Sequence, residues 1–169
     1  MQNQELIIER TFNAPRELVF NAWTDASQLA QWWGPKEMQM GNISLDLRPG
    51  GSFHYSMKAE NGFEMWGRFA YREIVAPERI VFVSSFSDKD GNITPAPFFD
   101  GKWPKEVLNI LTLTEQDGKT LLTLKGWPIN ATDEEVALFN SQQPSMQNGF
   151  KGTFDKLDEY LAKQLITQN

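Results

Sequence analysis

The feature that most constrains this chain is one long amphipathic stripe near its C-terminal end. Beyond Pro144 the apolar side chains recur at spacings of four, four, three, four and four residues, at Met146, Phe150, Phe154, Leu157, Leu161 and Leu165. This spacing puts them on a single face of a helix, which we predict to begin at Ser145. A helix with one apolar face has to bury that face against another layer of structure. The rest of the sequence must therefore provide that layer.

The preceding sequence provides it as strands separated by turns. Alternating apolar and polar residues predict an opening strand over Leu6–Phe12. The same pattern predicts six later strands, over 38–47, 52–57, 63–74, 80–86, 105–114 and 120–127. Asn61-Gly62 is a strong hairpin signal, and we expect positive φ at both of its residues. The short spacing between strands favours an antiparallel meander.

Two short helices are predicted between the first and second strands. Pro15 suits the first position of one helix, because its missing N–H would be unpaired there in any case. Asp25 or Ser27 can cap the second helix, which carries Trp32 and Trp33. Since adjacent positions on a helix face different directions, we expect only one of these two tryptophans to point inward.

These elements predict an α+β fold in one domain, over residues 1–169. The order is a strand, two helices, six strands and a long helix, with a capping box at Thr132-Asp-Glu-Glu135 before the last helix. A curved antiparallel sheet wrapped around the C-terminal helix satisfies this pattern. One helix does not fill the concave side of such a sheet, so we expect a pocket. The long segment 87–104, with three aromatic residues, is expected to fold over it.

Composition excludes several kinds of chemistry. With no Cys and a single His in 169 residues, the chain has no disulfide, thiolate metal site or multi-histidine site, and we predict neither metal nor cofactor. The net charge of −6 argues against nucleic acid as a partner. The start lacks a secretory signal, and the longest aliphatic and aromatic run is only Ile80–Val83. We therefore expect a cytoplasmic protein without a membrane partner.

Two polar features are interpreted as ordinary surface structure. Asp88-Lys-Asp-Gly-Asn92 superficially resembles a calcium loop, but Ile93 and Phe99 occupy the positions that need Gly and Glu. His54 alternates with Phe53 and Tyr55, so we expect it on the outer face of the sheet.

The aromatic and apolar residues that face inward define the predicted ligand site. Tyr55 and Asn109 are its polar members and the candidates for orienting a ligand. The full predicted set is Trp33, Phe53, Tyr55, Met57, Met65, Phe69, Phe82, Phe99, Trp103, Asn109, Leu111, Trp127, Met146 and Phe150. No catalytic residue and no metal ligand is assigned.

Several motifs resemble a known family. The sequence is similar to the activator of heat-shock-protein ATPase homologue family at five places: Phe12-Asn-Ala-Pro-Arg-Glu-Leu-Val-Phe-Asn-Ala-Trp-Thr-Asp25, Leu29-Ala-Gln-Trp-Trp-Gly-Pro35, Leu47-Arg-Pro-Gly-Gly-Ser-Phe53, Gly67 to Arg79, and Gly149-Phe150 with Leu157-Asp-Glu-Tyr-Leu161. The resemblance implies the START-like helix-grip fold. It does not imply stimulation of a heat-shock chaperone, since we expect the chain to begin directly at the helix-grip strand.

Three functions follow as hypotheses. The first is a non-catalytic domain that binds a small hydrophobic or aromatic molecule between the sheet and the C-terminal helix. The second is an enzyme of the polyketide-cyclase type that uses polar side chains in the pocket. Its candidates are Tyr55 and Asp100, together with Glu64 or His54 if the strand register slips and turns them inward. The third is a co-chaperone-like interaction module or a homodimer, with Phe98, Phe99 and Trp103 at the contact.

Overall fold

Seven antiparallel strands form one sheet in the computed structural model, which describes residues 4–167. The strands are β1 (Leu6–Phe12), β2 (Met38–Leu45), β3 (Ser52–Ala59), β4 (Glu64–Val75), β5 (Arg79–Ser87), β6 (Glu106–Gln116) and β7 (Lys119–Ile129). Their order in the sheet is β1-β7-β6-β5-β4-β3-β2, so β2 to β7 form a meander and β1 closes it beside β7.

Four helices complete the α+β helix-grip fold predicted from the sequence. They are α1 (Arg16–Thr24), α2 (Ala26–Trp32), α3 (Asp133–Ser141) and α4 (Gln143–Thr167). Asp25 caps α2 by accepting a hydrogen bond from the Ser27 N–H at 2.9 Å. The predicted capping box is present at α3, where Thr132 Oγ1 accepts from the Glu135 N–H at 3.1 Å.

Four local expectations were wrong, each for a reason visible in the backbone. Pro15 is the N-cap of α1 and not its first residue, since its ψ of 154° is extended. The helix α4 begins at Gln143 and not at Ser145, because Pro144 is tolerated in a first turn, where no N–H is needed. At the β3–β4 turn only Gly62 has positive φ, and the Asn61 side chain instead accepts from the Phe63 N–H at 2.9 Å. The type I′ pattern of two positive φ values occurs at Asp117-Gly118, in the β6–β7 hairpin.

The fourth error concerns the tryptophan pair. Because α2 ends at Trp32, Trp33 is an extended residue (φ −70°, ψ 144°) and both rings turn inward. The ring centroids of Trp23, Trp32 and Trp33 lie 4.9 to 5.7 Å apart. Trp32 also donates from Nε1 to the Ala22 carbonyl at 3.0 Å.

Beneath the concave face of the sheet, α4 runs against β1 and α2. Its side chains Phe154, Leu157 and Leu161 are buried in the core. Polar contacts fix it from outside: Arg10 of β1 forms ion pairs of 2.8 Å with both Asp155 and Asp158. None of the helices within 4–167 is long and apolar enough to cross a membrane.

Candidate functional site

A pocket lies between the sheet and the first turns of α4. Its inner lobe has a volume of about 200 Å³ and lies deeper than its outer lobe of about 400 Å³. The two lobes adjoin, since seven residues line both: Trp33, Tyr55, Met57, Phe86, Trp103, Met146 and Phe150. The inner lobe extends along the sheet to β1 and β7, and the outer lobe opens beside α4.

The lining carries no formal charge. Among the described residues that border either lobe there is no Asp, Glu, Lys, Arg or His. Aromatic rings form much of the wall, and Trp33 stands nearly perpendicular to Phe69, with 5.1 Å between ring centroids. Phe69 in turn stacks on Phe82 at 4.3 Å. The few polar groups of the inner lobe therefore decide what kind of molecule fits there.

Tyr55 is the titratable side chain of the inner lobe. Its hydroxyl lies over the backbone of Gly67 on β4, at a place where a Cβ on residue 67 would be 2.6 Å from the oxygen. Burial raises the pKa of Tyr55 to about 12. The indole N–H of Trp33 lies close enough to oppose this rise in pKa in part, but it makes no hydrogen bond to a described residue. Tyr55 is therefore a neutral phenol at pH 7.

Asn109 places an amide on the opposite part of the inner lobe. Its Nδ2 donates to the Val107 carbonyl at 2.9 Å and to Ser84 Oγ at 3.0 Å. The Oδ1 atom leans towards β7, where a Cβ on Gly126 would lie 3.2 Å from it. Tyr55 and Asn109 thus each occupy space left by a glycine on the neighbouring strand.

The loop between β5 and β6 forms one side of the mouth. Phe99 stacks on Trp103 at 5.7 Å, and Trp103 contacts the ring of Phe139 on α3 at 5.6 Å. Phe99, Asp100 and Gly101 all have positive φ, between 51° and 71°. Such backbone is sparsely populated for residues other than Gly and tends to occur at functional sites.

Most of the predicted site residues border the pocket. They are Trp33, Tyr55, Met57, Met65, Phe69, Phe82, Phe99, Trp103, Asn109, Met146 and Phe150. Phe53 and Leu111 do not border it, although they point to the same side of the sheet, because they lie further along their strands, where the core is filled. Trp127 does not border the pocket either. The buried residues of β7 alternate, and Trp127 lies on the other face; the buried residues are Thr120, Leu122, Leu124, Gly126 and Pro128.

Other lining residues were missed by the sequence analysis. Ser84 and Phe86 follow Phe82 at alternate positions of β5 and lie within the predicted strand 80–86, so the period of that strand would have found them. Phe139 of α3 and Leu6 of β1 line the inner lobe as well. Nothing in their local pattern shows that they reach it, since the packing of α3 is a long-range contact.

Apart from Tyr55, the polar residues considered for catalysis lie outside the pocket. His54 contacts the Asp88 carbonyl through Nε2 at 3.0 Å and stacks on Trp66, with 5.0 Å between ring centroids. Glu64 and Asp100 are exposed and do not line the pocket. The Asp88 carboxylate accepts from the Asp90 and Asn92 N–H groups at 2.9 Å, and these hydrogen bonds close the turn. Residues 4–167 contain no cluster of metal-ligating side chains.

Known proteins of the same fold agree with this arrangement of elements. The sequence matches the family described as Activator of Hsp90 ATPase homolog 1-like protein over residues 13–162. Protein Ms6760 from Mycobacterium smegmatis has a TM-score of 0.74 and 28% identity, covering 93% of this chain and 90% of that one. Protein NE0264 from Nitrosomonas europaea has a TM-score of 0.75 and 21% identity, covering 96% of each chain. The AHSA1 protein from Silicibacter pomeroyi has a TM-score of 0.71 and 20% identity, covering 95% of this chain and 99% of that one. No similar protein was found among the curated proteins.

Proposed function

The chain belongs to the family of Activator of Hsp90 ATPase homolog 1-like proteins, and from that premise we propose a non-catalytic ligand-binding domain. Its ligand is a small, uncharged, hydrophobic or aromatic molecule held between the sheet and the start of α4. The observation that carries the proposal is the pocket lining, which combines aromatic walls with the absence of charged side chains among the described residues.

The uncharged lining favours a neutral ligand for a physical reason. A carboxylate or an ammonium group that enters the inner lobe loses its hydration, and no described lining residue offers an opposite charge. An apolar ring gains about 25 cal/mol for each Å² of surface removed from water. Pockets for small ligands commonly span about 300–1,000 Å³, and the adjoining lobes suit a molecule of that class.

The same chemistry speaks against the enzyme alternative. A general acid or base works best with a pKa near the operating pH. Tyr55 is the titratable residue in the described lining, and burial raises its pKa to about 12. A homodimer through the exposed Phe98 and Phe99 and a cytoplasmic location stay predictions from the sequence.

The proposal is tested with one uncharged and one charged probe of similar shape. We expect 2-methylnaphthalene to raise Tm by about 3–6 °C at ten times its Kd. The carboxylate 2-naphthoate should give no shift at pH 7. Tryptophan fluorescence should report the same difference, because Trp33 and Trp103 line both lobes. Equal binding of both probes, or of neither, would contradict the proposal.

A matched pair of variants in α4 shows whether the probe enters the pocket. A Cβ added at Gly149 meets nothing within 4 Å and faces the outer lobe, so Gly149→Leu should obstruct the mouth and abolish the shift. A Cβ at Gly152 meets only the flexible Lys36 side chain, at 3.7 Å, so Gly152→Leu should preserve binding. Both changes raise helix propensity, which keeps them comparable in stability.

A further inference from the structure

The amide of Asn109 has an unusual distribution of hydrogen bonds. Both bonds that it makes use Nδ2, and no described residue donates to its Oδ1. The orientation of the amide is fixed by its partners, because the Val107 carbonyl can only accept and therefore requires the amino group. The free atom is thus the carbonyl oxygen, which is an acceptor without any donor capacity.

This oxygen is available to a molecule in the inner lobe. Asn109 is only 7% exposed, and it lines the inner lobe beside Ser84, Leu124 and Phe139. A molecule that fills the lobe removes water from this oxygen. Because a buried acceptor left without a donor is costly, we expect such a molecule to donate to it. A ligand with only apolar surface or only acceptor atoms would leave the oxygen unpaired.

We propose that the pocket selects neutral aromatic molecules that carry a hydrogen-bond donor, such as a phenol O–H, which Asn109 Oδ1 accepts. This inference rests on the proposed binding function and specifies the chemical class of the ligand. Tyr55 does not make the same selection, because its hydroxyl both donates and accepts and therefore tolerates either kind of oxygen. The unpaired indole N–H of Trp33 does not make this selection either, because it can donate to a phenol or an ether oxygen alike. Asn109 is accordingly the residue that sets the requirement for a donor.

The test compares 2-naphthol with 2-methoxynaphthalene, which has the same ring and oxygen but no donor. Calorimetry at pH 7 on the full chain should show 2-naphthol binding about tenfold more tightly, as one hydrogen bond to a buried acceptor would give. In Asn109→Leu the two Kd values should become nearly equal. In Tyr55→Phe the tenfold ratio should persist, since both ligands lose the same contact.

A second variant covers the case in which Asn109→Leu does not fold. Gly126→Ala keeps both hydrogen bonds of the amide but places a methyl group 3.2 Å from Oδ1. Gly126→Ala should weaken the binding of 2-naphthol several-fold and leave the Kd of 2-methoxynaphthalene unchanged. Three results would overturn the inference. They are a ratio of the two Kd values near one in the wild type, a tenfold ratio preserved in both Asn109→Leu and Gly126→Ala, and a ratio lost in Tyr55→Phe. If none of the naphthalenes binds, the binding function itself fails.

Discussion

The two halves of α4 carry the same apolar stripe but serve different purposes. In the second half Phe154, Leu157 and Leu161 are sealed in the core. In the first half Met146 and Phe150 are only partly buried, and both line the two lobes of the pocket. A regular helix can therefore bound a filled space at one end and a pocket at the other.

The contacts that hold the two halves of α4 against the rest of the protein differ as well. The second half is held by apolar packing and by the ion pairs of Arg10. The first half is held by its own glutamine side chains, which donate to backbone carbonyls of the edge strand β1 and of the residue Gln4 just before it. Gln143 Nε2 donates to the Gln4 carbonyl at 2.7 Å, and Gln147 Nε2 donates to the Ile7 carbonyl at 2.8 Å. These bonds stabilise the helix start without filling the pocket, and they also protect the edge of the sheet.

The largest effect is expected from truncating matched phenylalanines in the two halves. Phe154→Ala opens a cavity in a sealed core and should cost about 3–5 kcal/mol in the free energy of unfolding. Phe150→Ala, four residues earlier on the same face, should cost only about 1–2 kcal/mol because its ring already borders open space. Urea denaturation of both variants measures the difference. Equal losses would show that the first half is packed as tightly as the second.

The next largest effect tests whether water is excluded from Tyr55 in the pocket beside the first half of α4. The pKa of Tyr55 is raised in the folded state to about 12, so folding favours the neutral phenol. The stabilisation is complete below the unfolded pKa of about 10 and is lost as pH rises towards 12, by roughly 2 kcal/mol. Tyr55→Phe should therefore show a shallower fall in unfolding free energy between these pH values. Parallel curves for the variant and the wild type would mean that water reaches the hydroxyl freely.

A smaller effect is expected at the glutamine attachment. Gln147→Ala removes one hydrogen bond to β1 and should cost about 0.5–1.5 kcal/mol. Gln164→Ala, in the second half, serves as a control because its side chain makes no hydrogen bond to the described part of the chain. Urea denaturation should separate the two variants. If neither variant changes the free energy of unfolding, packing alone fixes the start of α4.

The smallest expected effect is the acid dependence of the second half. The hydrogen bond and charge of Arg10 hold the pKa of Asp155 below its usual value. The ion pair therefore stabilises the fold above that usual value and is lost as pH falls through the lower folded pKa. Arg10→Met should flatten the fall in unfolding free energy between about pH 5 and pH 2. An unchanged slope would assign the acid sensitivity to other carboxylates.

The strands and the helical stripe could be predicted from the sequence because each depends on a local period. The alternation of residues along a strand does not show the position at which the filled core ends and the pocket begins. Phe53 and Tyr55 share a face and a strand, yet only Tyr55 borders the pocket, since Phe53 lies where the core is filled and is fully buried. The prediction that only one of Trp32 and Trp33 points inward was wrong for a similar reason, because α2 ends at Trp32 and this changes the direction of the Trp33 ring.

The central claim is that a neutral aromatic molecule occupies the space bounded by the first half of α4, and methionine methyl resonances test it most directly. Met57, Met65 and Met146 line the pocket, whereas Met38 and Met40 on β2 do not. With ¹³C-methyl methionine, addition of 2-methylnaphthalene should shift the first three signals through its ring current. The signals of Met38 and Met40 should stay in place. Shifts confined to β2, or none at all, would contradict the account.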